Sequence, residues 1–243
     1  MKKKRIVITG LGVVSSVGIG KDAFWKNLIA GKSGISLVSS FETKDHQTHK
    51  GGEIKDFTSE GFADEKNQKS FGRCAQLSLA AAELALKDAG LKTNELKGMS
   101  VGILLGTTLG EIPSVEKSDR AYLKDGMMGL DAGTLCEYPV MNIARIISDS
   151  CGFQGPVRIF TTACAAGNYA IGAGYDLIQD DEADVVMAGG ADPFSYIAFT
   201  GFNQLRSYAP EKCQPFDKKR KGMILGEGAG ILTLETLERA EER

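Results

Sequence analysis

Short apolar runs alternate along this chain with longer stretches in which apolar residues recur at helical spacing. Short apolar runs bounded by glycine or polar residues are typical of strands, whereas a helical period predicts helices. The pattern predicts strands at residues 5–9, 101–105, 157–160, 184–187 and 229–234, and helices at 70–89, 142–150 and 164–179. This alternation predicts an α/β fold in which helices pack against a sheet.

Two of the predicted elements have well-marked features. The helix at 70–89 repeats small and apolar residues at helical spacing and stops at Gly90, a residue type that commonly follows a helix C-terminus. The strand at 101–105 is continuously apolar, which is the pattern of a strand covered on both faces. We therefore expect layers of structure on both sides of the sheet.

Cys164 lies at the point where the strand at 157–160 gives way to a helical stretch, within the run Thr-Thr-Ala-Cys-Ala-Ala-Gly at 161–167. Unpaired backbone N–H groups and the positive end of the helix dipole stabilise a thiolate at such a position. Small neighbours leave room for a substrate carbonyl. The position suits a nucleophile, but for an isolated cysteine a buried structural role is the more common case, because free cysteine is among the most buried residue types.

The predicted helix after Cys164 contains Gly167, Gly172 and Gly174. Glycine lowers helix stability because it loses much backbone freedom on ordering. Small side chains on several faces permit close approach of neighbouring elements. We therefore expect this helix to be buried between two layers.

Composition is ordinary for a globular protein, with 243 residues that are 42% hydrophobic and 25% charged, enough for one large or two small domains. The net charge of −2 argues against nucleic-acid binding. No segment is long and apolar enough to span a bilayer, and the basic start at residues 2–5 is not followed by the apolar stretch of a signal peptide. We expect a cytoplasmic protein.

The sequence lacks the usual signals of a metal-binding or nucleotide-binding site. Its five cysteines lack the close doublets of a zinc or redox site, and His46 and His49 lie in a polar stretch that we expect to be a solvated loop. Gly10 and Gly12 lack the third glycine and the acidic partner of a dinucleotide loop. The glycines at 226–230 lead into a strand and not into a helix that could hold phosphate. We expect no metal and no cofactor.

Five stretches occur in the order found in one enzyme family. They are IVITGLGVVSSVG at 6–18, GKSGI at 31–35, TTACAAG at 161–167, DVVMAGG at 184–190, and PFD followed by GEGAG between 215 and 230. Together they span nearly the whole chain. The sequence resembles the β-ketoacyl-acyl carrier protein synthases, the condensing enzymes of fatty acid and polyketide assembly.

The resemblance implies a thiolase-like layered α/β sandwich made of two similar halves. Residues 1–243 would form the amino-terminal ketosynthase domain, with a five-stranded mixed sheet and helices on both faces. Cys164 would take an acyl group from a thioester, and a malonyl thioester on acyl carrier protein would then lose carbon dioxide and attack it. The backbone N–H of Cys164 would be one donor to the oxyanion.

The family uses two histidines and a lysine from its carboxy-terminal half for the second stage, and this chain reaches Arg243 without them. We expect either a truncated piece of a longer synthase or a natural half whose partner chain supplies the histidines. Acylation without condensation would fit both.

Several further positions match regions where members of the family contact substrate. Leu109 corresponds to the lining of the acyl tunnel, and Phe202 to an aromatic residue that borders the nucleophile. Glu111 replaces a small residue and would shorten the tunnel or make its end polar, unless it is a solvent-facing loop charge. Lys221 stands where an acidic residue is common, and Met223 where an aromatic one is common.

The resemblance also implies partners. Members are dimers joined through the strand before the nucleophile, so we expect residues 157–160 to form a homodimer or heterodimer contact. Acyl carrier proteins are acidic, and Lys69 and Arg206, with Lys66 and Arg73, are candidates for a local basic patch that binds them. Scattered solvated charges are the alternative.

Two other functions remain open. Non-catalytic chain-length-factor subunits pair with ketosynthases, but their nucleophile is typically replaced and Cys164 is retained here. Degradative thiolases share the fold, but the PFD and GEGAG stretches fit the synthases better.

Overall fold

The computed structural model describes residues 3–62 and 71–243, which form strands and helices in mixed order. The strands of these described residues are β1 Ile6–Ser15, β2 Gly18–Ile19, β3 Ser36–Leu37, β4 Lys50–Gly51, β5 Val101–Gly106, β6 Val157–Phe160, β7 Val185–Asp192 and β8 Gly228–Thr236. The α-helices are α1 Lys21–Ile29, α2 Arg73–Ala89, α3 Ile112–Asp125, α4 Ala132–Glu137, α5 Met141–Cys151, α6 Ala166–Gln179, α7 Tyr196–Gln204 and α8 Leu237–Glu242. Short 3₁₀ turns lie at Thr93–Leu96, Gly126–Gly129 and Ala163–Ala165.

Six strands form one mixed sheet in the order β2-β1-β8-β7-β5-β6. β5 runs parallel to β6 and β7, whereas β8 is antiparallel to both β7 and β1. The prediction of five strands is wrong by one, because the two-residue β2 folds back onto the end of β1. Two residues contain too little sequence to show a strand pattern. β3 and β4 form a separate antiparallel pair.

β1 is longer than its apolar run predicts and continues to Ser15. Gly10 and Gly12 lie inside the strand, where α2 packs directly on the backbone. A Cβ at Gly12 would lie 1.8 Å from the carbonyl oxygen of Ala81, and one at Gly10 would lie 2.1 Å from that of Ala85. These glycines therefore permit close helix–sheet packing and do not form a loop.

Helices cover both faces of the sheet, as predicted. α2 and α5 pack on one face in the larger apolar core, which includes Leu79 and Ile147. α6 packs on the other face in a second core with Leu104 and Val186. All six residues of β5 are buried, which agrees with its continuously apolar sequence.

α2 ends at Gly90, as the sequence indicates, and α5 ends at Gly152. Gly90 and Gly152 follow them with φ values of 69° and 67°, a left-handed conformation that glycine adopts without steric cost. Within the described part of the chain, no helix has the length and apolar character needed to cross a membrane.

α6 is covered on one side by the described residues, and its expected burial between two layers stays a prediction. Ala170 and Leu177 are buried against the sheet, whereas Tyr169 and Gly172 are exposed. Gly174 has a clear packing role, because a Cβ there would lie 2.8 Å from Val186. Among the described residues, one sheet is packed against α6, and no second layer covers its outer face.

Candidate active site

Cys164 occupies the sharp turn between β6 and α6. It lies in the middle of the 3₁₀ turn Ala163–Ala165, and the α-helix begins two residues later at Ala166. Ala163 has a φ of 51°, a left-handed conformation that costs a residue with a side chain about 1–2 kcal/mol. The Cys164 side chain is exposed and not disulfide-bonded. This geometry excludes a sealed structural cysteine and leaves the thiol open to reagents at a helix start.

Cys164 borders a depression of about 230 Å³. Gly106 allows its floor to form, because a Cβ there would lie 2.2 Å from the backbone carbon of Ala166. The start of α6 can therefore rest directly on the end of β5. The residues around the depression, besides Cys164, are Gly106, Thr107, Thr108, Ala163, Ala166, Gly167, Gly190, Ala191, Asp192, Gly226 and Gly228.

Asp192, at the end of β7, holds the loop that follows β5. Its Oδ1 accepts hydrogen bonds from the Thr107 hydroxyl at 2.9 Å, the Thr108 N–H at 2.8 Å and the Leu109 N–H at 2.9 Å. Thr107 Oγ1 in turn accepts from the Gly110 N–H at 2.9 Å. One carboxylate thus fixes the loop that forms a wall of the depression. Asp192 is not among the residues that the sequence motifs single out, although a polar residue at the carboxyl end of a buried parallel strand is a known signal of a site.

Glu227 anchors the segment between the depression and β8. Its carboxylate accepts from Arg73 at 3.0 Å (Nε) and 2.8 Å (Nη2), and from the Ile54 N–H at 2.8 Å. The Glu227 side chain is only 5% exposed. A bidentate arginine pair of this kind fixes both position and orientation. It ties the start of α2 to the backbone beside Gly226 and Gly228.

Residues 3–240 match the family described as beta-ketoacyl synthase, N-terminal domain. The chain belongs to this family. A 3-oxoacyl-[acyl-carrier-protein] synthase 2 of Synechocystis is 35% identical over 251 residues, which cover 100% of this chain and 60% of that protein. The chloroplastic 3-oxoacyl-[acyl-carrier-protein] synthase I of Arabidopsis thaliana is 33% identical, over 99% of this chain and 53% of that protein.

Solved structures resemble the whole of this β-ketoacyl synthase domain. The ishigamide ketosynthase/chain length factor is 34% identical with a TM-score of 0.96, over 99% of this chain and 60% of that one. A type II polyketide synthase acyl carrier protein in complex with its ketosynthase bound to the hexaketide gives 26% identity and a TM-score of 0.86, with 100% and 60% coverage. The thiolase-like fold is therefore confirmed. The chain spans about 60% of the length of the relatives it matches.

The two predicted substrate contacts occupy different places in the β-ketoacyl synthase domain. Leu109 is half-buried, and its backbone N–H donates to Asp192. It directly follows Thr108, which is part of the wall of the depression. Phe202 is half-buried on α7 and does not line the depression. Leu109 thus follows a residue of the depression in the chain but is not among the residues that line it, and a substrate role for either residue stays a prediction.

The structure describes two of the four residues that the sequence suggests for a carrier-binding patch, so the patch stays a prediction. Arg206 is exposed just after α7. Arg73 is engaged by Glu227 and is not a free surface cation. Lys69 and Lys66 lie outside the described residues. Of this group, Arg206 alone is placed by the structure on an open surface.

Glu111 is not a solvent-facing charge, because only 1% of the residue is exposed. Its carboxylate accepts from the backbone N–H groups of Cys74 at 3.0 Å and Ala75 at 2.6 Å, at the first turn of α2. Burial raises the pKa of this carboxyl to about 7, the two amide hydrogen bonds oppose the rise, and the nearby Glu137 adds to it. Glu111 borders a separate cavity of about 270 Å³ that does not include Cys164.

His46 is not a solvated loop residue as predicted. Its Nε2 lies 2.9 Å from Thr200 Oγ1, and its ring packs edge-on against Phe199, with centroids 5.1 Å apart. The surrounding aromatic residues stabilise this loop against α7. His49 is exposed, in agreement with the prediction. The described residues contain no cluster of three or more histidine, cysteine or acidic side chains that could hold a metal ion.

Proposed function

We propose that Cys164 is the acyl-accepting nucleophile of a β-ketoacyl-acyl carrier protein synthase, an acyltransferase. The thiolate attacks the carbonyl of an acyl thioester, a new C–S bond forms, and the carrier thiol leaves as a thiolate that takes up a proton. The observation that carries this proposal is the position of Cys164, an exposed thiol in the turn that opens α6, beside a depression lined largely by backbone and small side chains.

Backbone groups at this turn support the chemistry. Negative charge develops on the thioester oxygen during attack, and N–H groups fixed at a helix start stabilise such charge without reorganisation. We assign the Cys164 N–H as one donor. The wall held by Asp192 includes Thr108, which borders the depression, and we propose that the next residue, Leu109, contacts the acyl chain.

The condensation step is proposed for the complete protein. The curated relatives are 3-oxoacyl-acyl carrier protein synthases, and this chain matches about 60% of their length. Decarboxylation of a malonyl thioester and attack of the resulting carbanion on acyl-Cys164 need groups that handle the malonyl carboxylate and the enolate. We expect two histidines and a lysine outside the matched part, in the same polypeptide or in a partner chain, to supply them.

Acyl transfer tests the proposal directly. The chain is incubated with an octanoyl thioester, and the modified cysteine is located by peptide mass spectrometry. Cys136 and Cys213 are also exposed and serve as internal controls within the same sample. We expect selective octanoylation of Cys164 and its loss in Cys164→Ser. Equal labelling of all three thiols, or no labelling of Cys164, would contradict the proposal and favour a non-catalytic subunit of the chain-length-factor type.

We propose a dimer contact at β6. This strand is at the edge of the six-stranded sheet, and an unpaired edge is a template for strand pairing. Sedimentation equilibrium should give twice the 26.0 kDa chain mass, or the mass of a heterodimer when a related chain is added. A monomer at all concentrations would contradict it. Acyl carrier protein and malonyl thioester as partners, and a cytoplasmic location, stay predictions.

A further inference from the structure

The first turn of α2 is capped by a side chain from another part of the molecule. The residue before the helix is Gly72, which has no side chain that could accept from the first N–H groups. Glu111 supplies the acceptors instead, with Oε2 3.0 Å from the Cys74 nitrogen and Oε1 2.6 Å from the Ala75 nitrogen. At Gly72 a Cβ would lie 2.4 Å from the Glu111 carboxyl carbon, so a side chain there would displace the cap.

Glu111 also ends the loop that borders the depression beside Cys164. Thr107 and Thr108 line the depression, and the loop folds back where the Gly110 N–H donates to Thr107 Oγ1 at 2.9 Å. Glu111 follows Thr108 by three residues, which corresponds to at most about 11 Å of extended chain. A change in the position of the Glu111 side chain would therefore be passed to this wall of the depression.

Two further contacts connect the first turn of α2 with the depression. Cys74 Sγ donates to the Ala191 carbonyl at 3.4 Å, and Ala191 lines the depression. Burial raises the pKa of the Cys74 thiol well above its usual range, so the thiol stays a neutral donor. Arg73 binds Glu227, which lies between two glycines that line the depression. Three segments around Cys164 are therefore fixed at one helical turn.

From these contacts we infer that Glu111 is a positioning residue: its ionised carboxylate, as the cap of α2, holds the loop at 107–111 in the arrangement in which Cys164 accepts an acyl group. The inference rests on the proposed function of Cys164. Negative charge stabilises the first turn of a helix, because the N–H groups there carry the positive end of the helix dipole. With Asp192 holding residues 107–109 and Glu111 holding the end of the loop, the thioester is kept at the distance from the sulfur that attack requires.

The charge of Glu111 changes in the neutral range. Burial raises the pKa of its carboxyl to about 7, against the effect of its two amide hydrogen bonds. The titratable and charged groups around this carboxyl are Glu137 on α4, Arg145 and Asp149 on α5, which border the same cavity, Cys74 on α2, and Asp192 on β7, which faces Cys74. Below about pH 7 one carboxyl oxygen carries a proton and is a weaker acceptor, so the cap weakens as the pH falls.

Stability alone does not account for a carboxylate at this position. Because burial raises the pKa of Glu111, the fold loses stability when this side chain ionises. A neutral side chain at 111 would avoid that loss. Titratable groups with shifted pKa values are concentrated at functional sites, and Glu111 is one residue beyond a loop that borders the candidate active site.

The pH dependence of Cys164 acylation tests the inference. Glu111→Gln keeps the length of the side chain but places an NH₂ donor opposite one of the two backbone donors, so it resembles the neutral carboxyl at every pH. Glu42→Gln, at an exposed side chain, is the matched control. Acylation by a small octanoyl thioester and alkylation by iodoacetamide are measured from about pH 5.5 to about pH 8.5, and circular dichroism checks that each variant folds. Ionisation of Cys164 is common to all the chains, so it cancels in the ratio of their rates.

We expect the ratio of the acylation rates of the unmodified chain and Glu111→Gln to rise at least about threefold from the acid to the alkaline end, with a midpoint near pH 7. The alkylation ratio should show the same midpoint, and both ratios for Glu42→Gln should stay at one. Gly72→Ala, which displaces the carboxylate without removing it, should give the same rise and decides the question if Glu111→Gln does not fold.

A rate ratio that is the same at every pH, whether equal to one or not, would overturn the inference, because a purely structural role does not titrate. Failure of the unmodified chain to react with the octanoyl thioester at any pH would instead overturn the proposed function. The iodoacetamide ratios would then still decide whether the ionisation of Glu111 controls the reactivity of Cys164.

Discussion

Glu111 should make the stability of the protein depend on pH near neutrality. In the folded protein its carboxyl is buried at the first turn of α2, and burial raises its pKa from 4.5 to about 7. In the unfolded chain the same carboxyl is solvated and has its ordinary pKa. Between these two values the folded state holds a proton that the unfolded state has released.

The sign follows from this difference in bound protons. The free energy of unfolding falls with rising pH wherever the folded state binds more protons, by about 1.4 kcal/mol per pH unit for one proton. The stability that protonated Glu111 contributes is therefore fully present below pH 4.5 and is lost as the pH rises through about 7. Over that interval the loss amounts to about 3 kcal/mol.

Urea unfolding followed by circular dichroism from about pH 5 to about pH 8 measures the effect. Glu111→Gln removes the titration, so its unfolding free energy should fall about 2.5 kcal/mol less over this range than that of the unmodified chain. Glu42→Gln, at a side chain that is 79% exposed, is the matched control and should keep the original pH dependence. Equal pH dependence in Glu111→Gln and the unmodified chain would refute the reasoning.

Three further changes test the construction of the site. Asp192→Ala removes the acceptor of three hydrogen bonds, so it should lower the unfolding free energy by about 2–4 kcal/mol in urea titrations and change the alkylation rate of Cys164. Asp192→Asn keeps an acceptor oxygen, so both effects should be smaller in that variant. Gly106→Ala should displace the start of α6, because the added Cβ would overlap the backbone of Ala166. The displacement should change the rate at which iodoacetamide alkylates Cys164. Glu227→Ala should cost about 3 kcal/mol in thermal unfolding because Arg73 loses its buried partner; an unchanged midpoint would contradict this.

The sequence predicts the elements whose pattern is local. The strand at 157–160 is found at those residues, and α2 and α5 end at Gly90 and Gly152. The apolar pattern underestimates the length of β1, because a glycine in a strand and a glycine in a loop look alike in sequence until the helix that packs on it is known. β2 was missed because it is only two residues long.

At the candidate site, the sequence indicates the Cys164 thiol but not the hydrogen bonds that hold the backbone around it. Cys164 lies at a strand–helix junction, and the sequence shows this junction because a short apolar run changes there to apolar residues at helical spacing. Asp192 and Thr107 are 85 residues apart, and Arg73 and Glu227 are 154 apart. Contacts over such separations depend on how the strands are ordered in the sheet. The burial of Glu111 depends likewise on where α2 begins, and the loop sequence around Glu111 carries no sign of it.

The meeting point of β5, β7 and α6 is built from main-chain atoms. At Gly190 a Cβ would lie 3.0 Å from the Gly106 carbonyl oxygen and 3.4 Å from Gly167 Cα, so three backbones touch there without intervening side chains. Mutations that change the size of neighbouring side chains should therefore have little effect on the position of Cys164 Sγ. If Leu109 contacts the acyl chain as proposed, substitutions there would change substrate preference while the reactive atom stays in place.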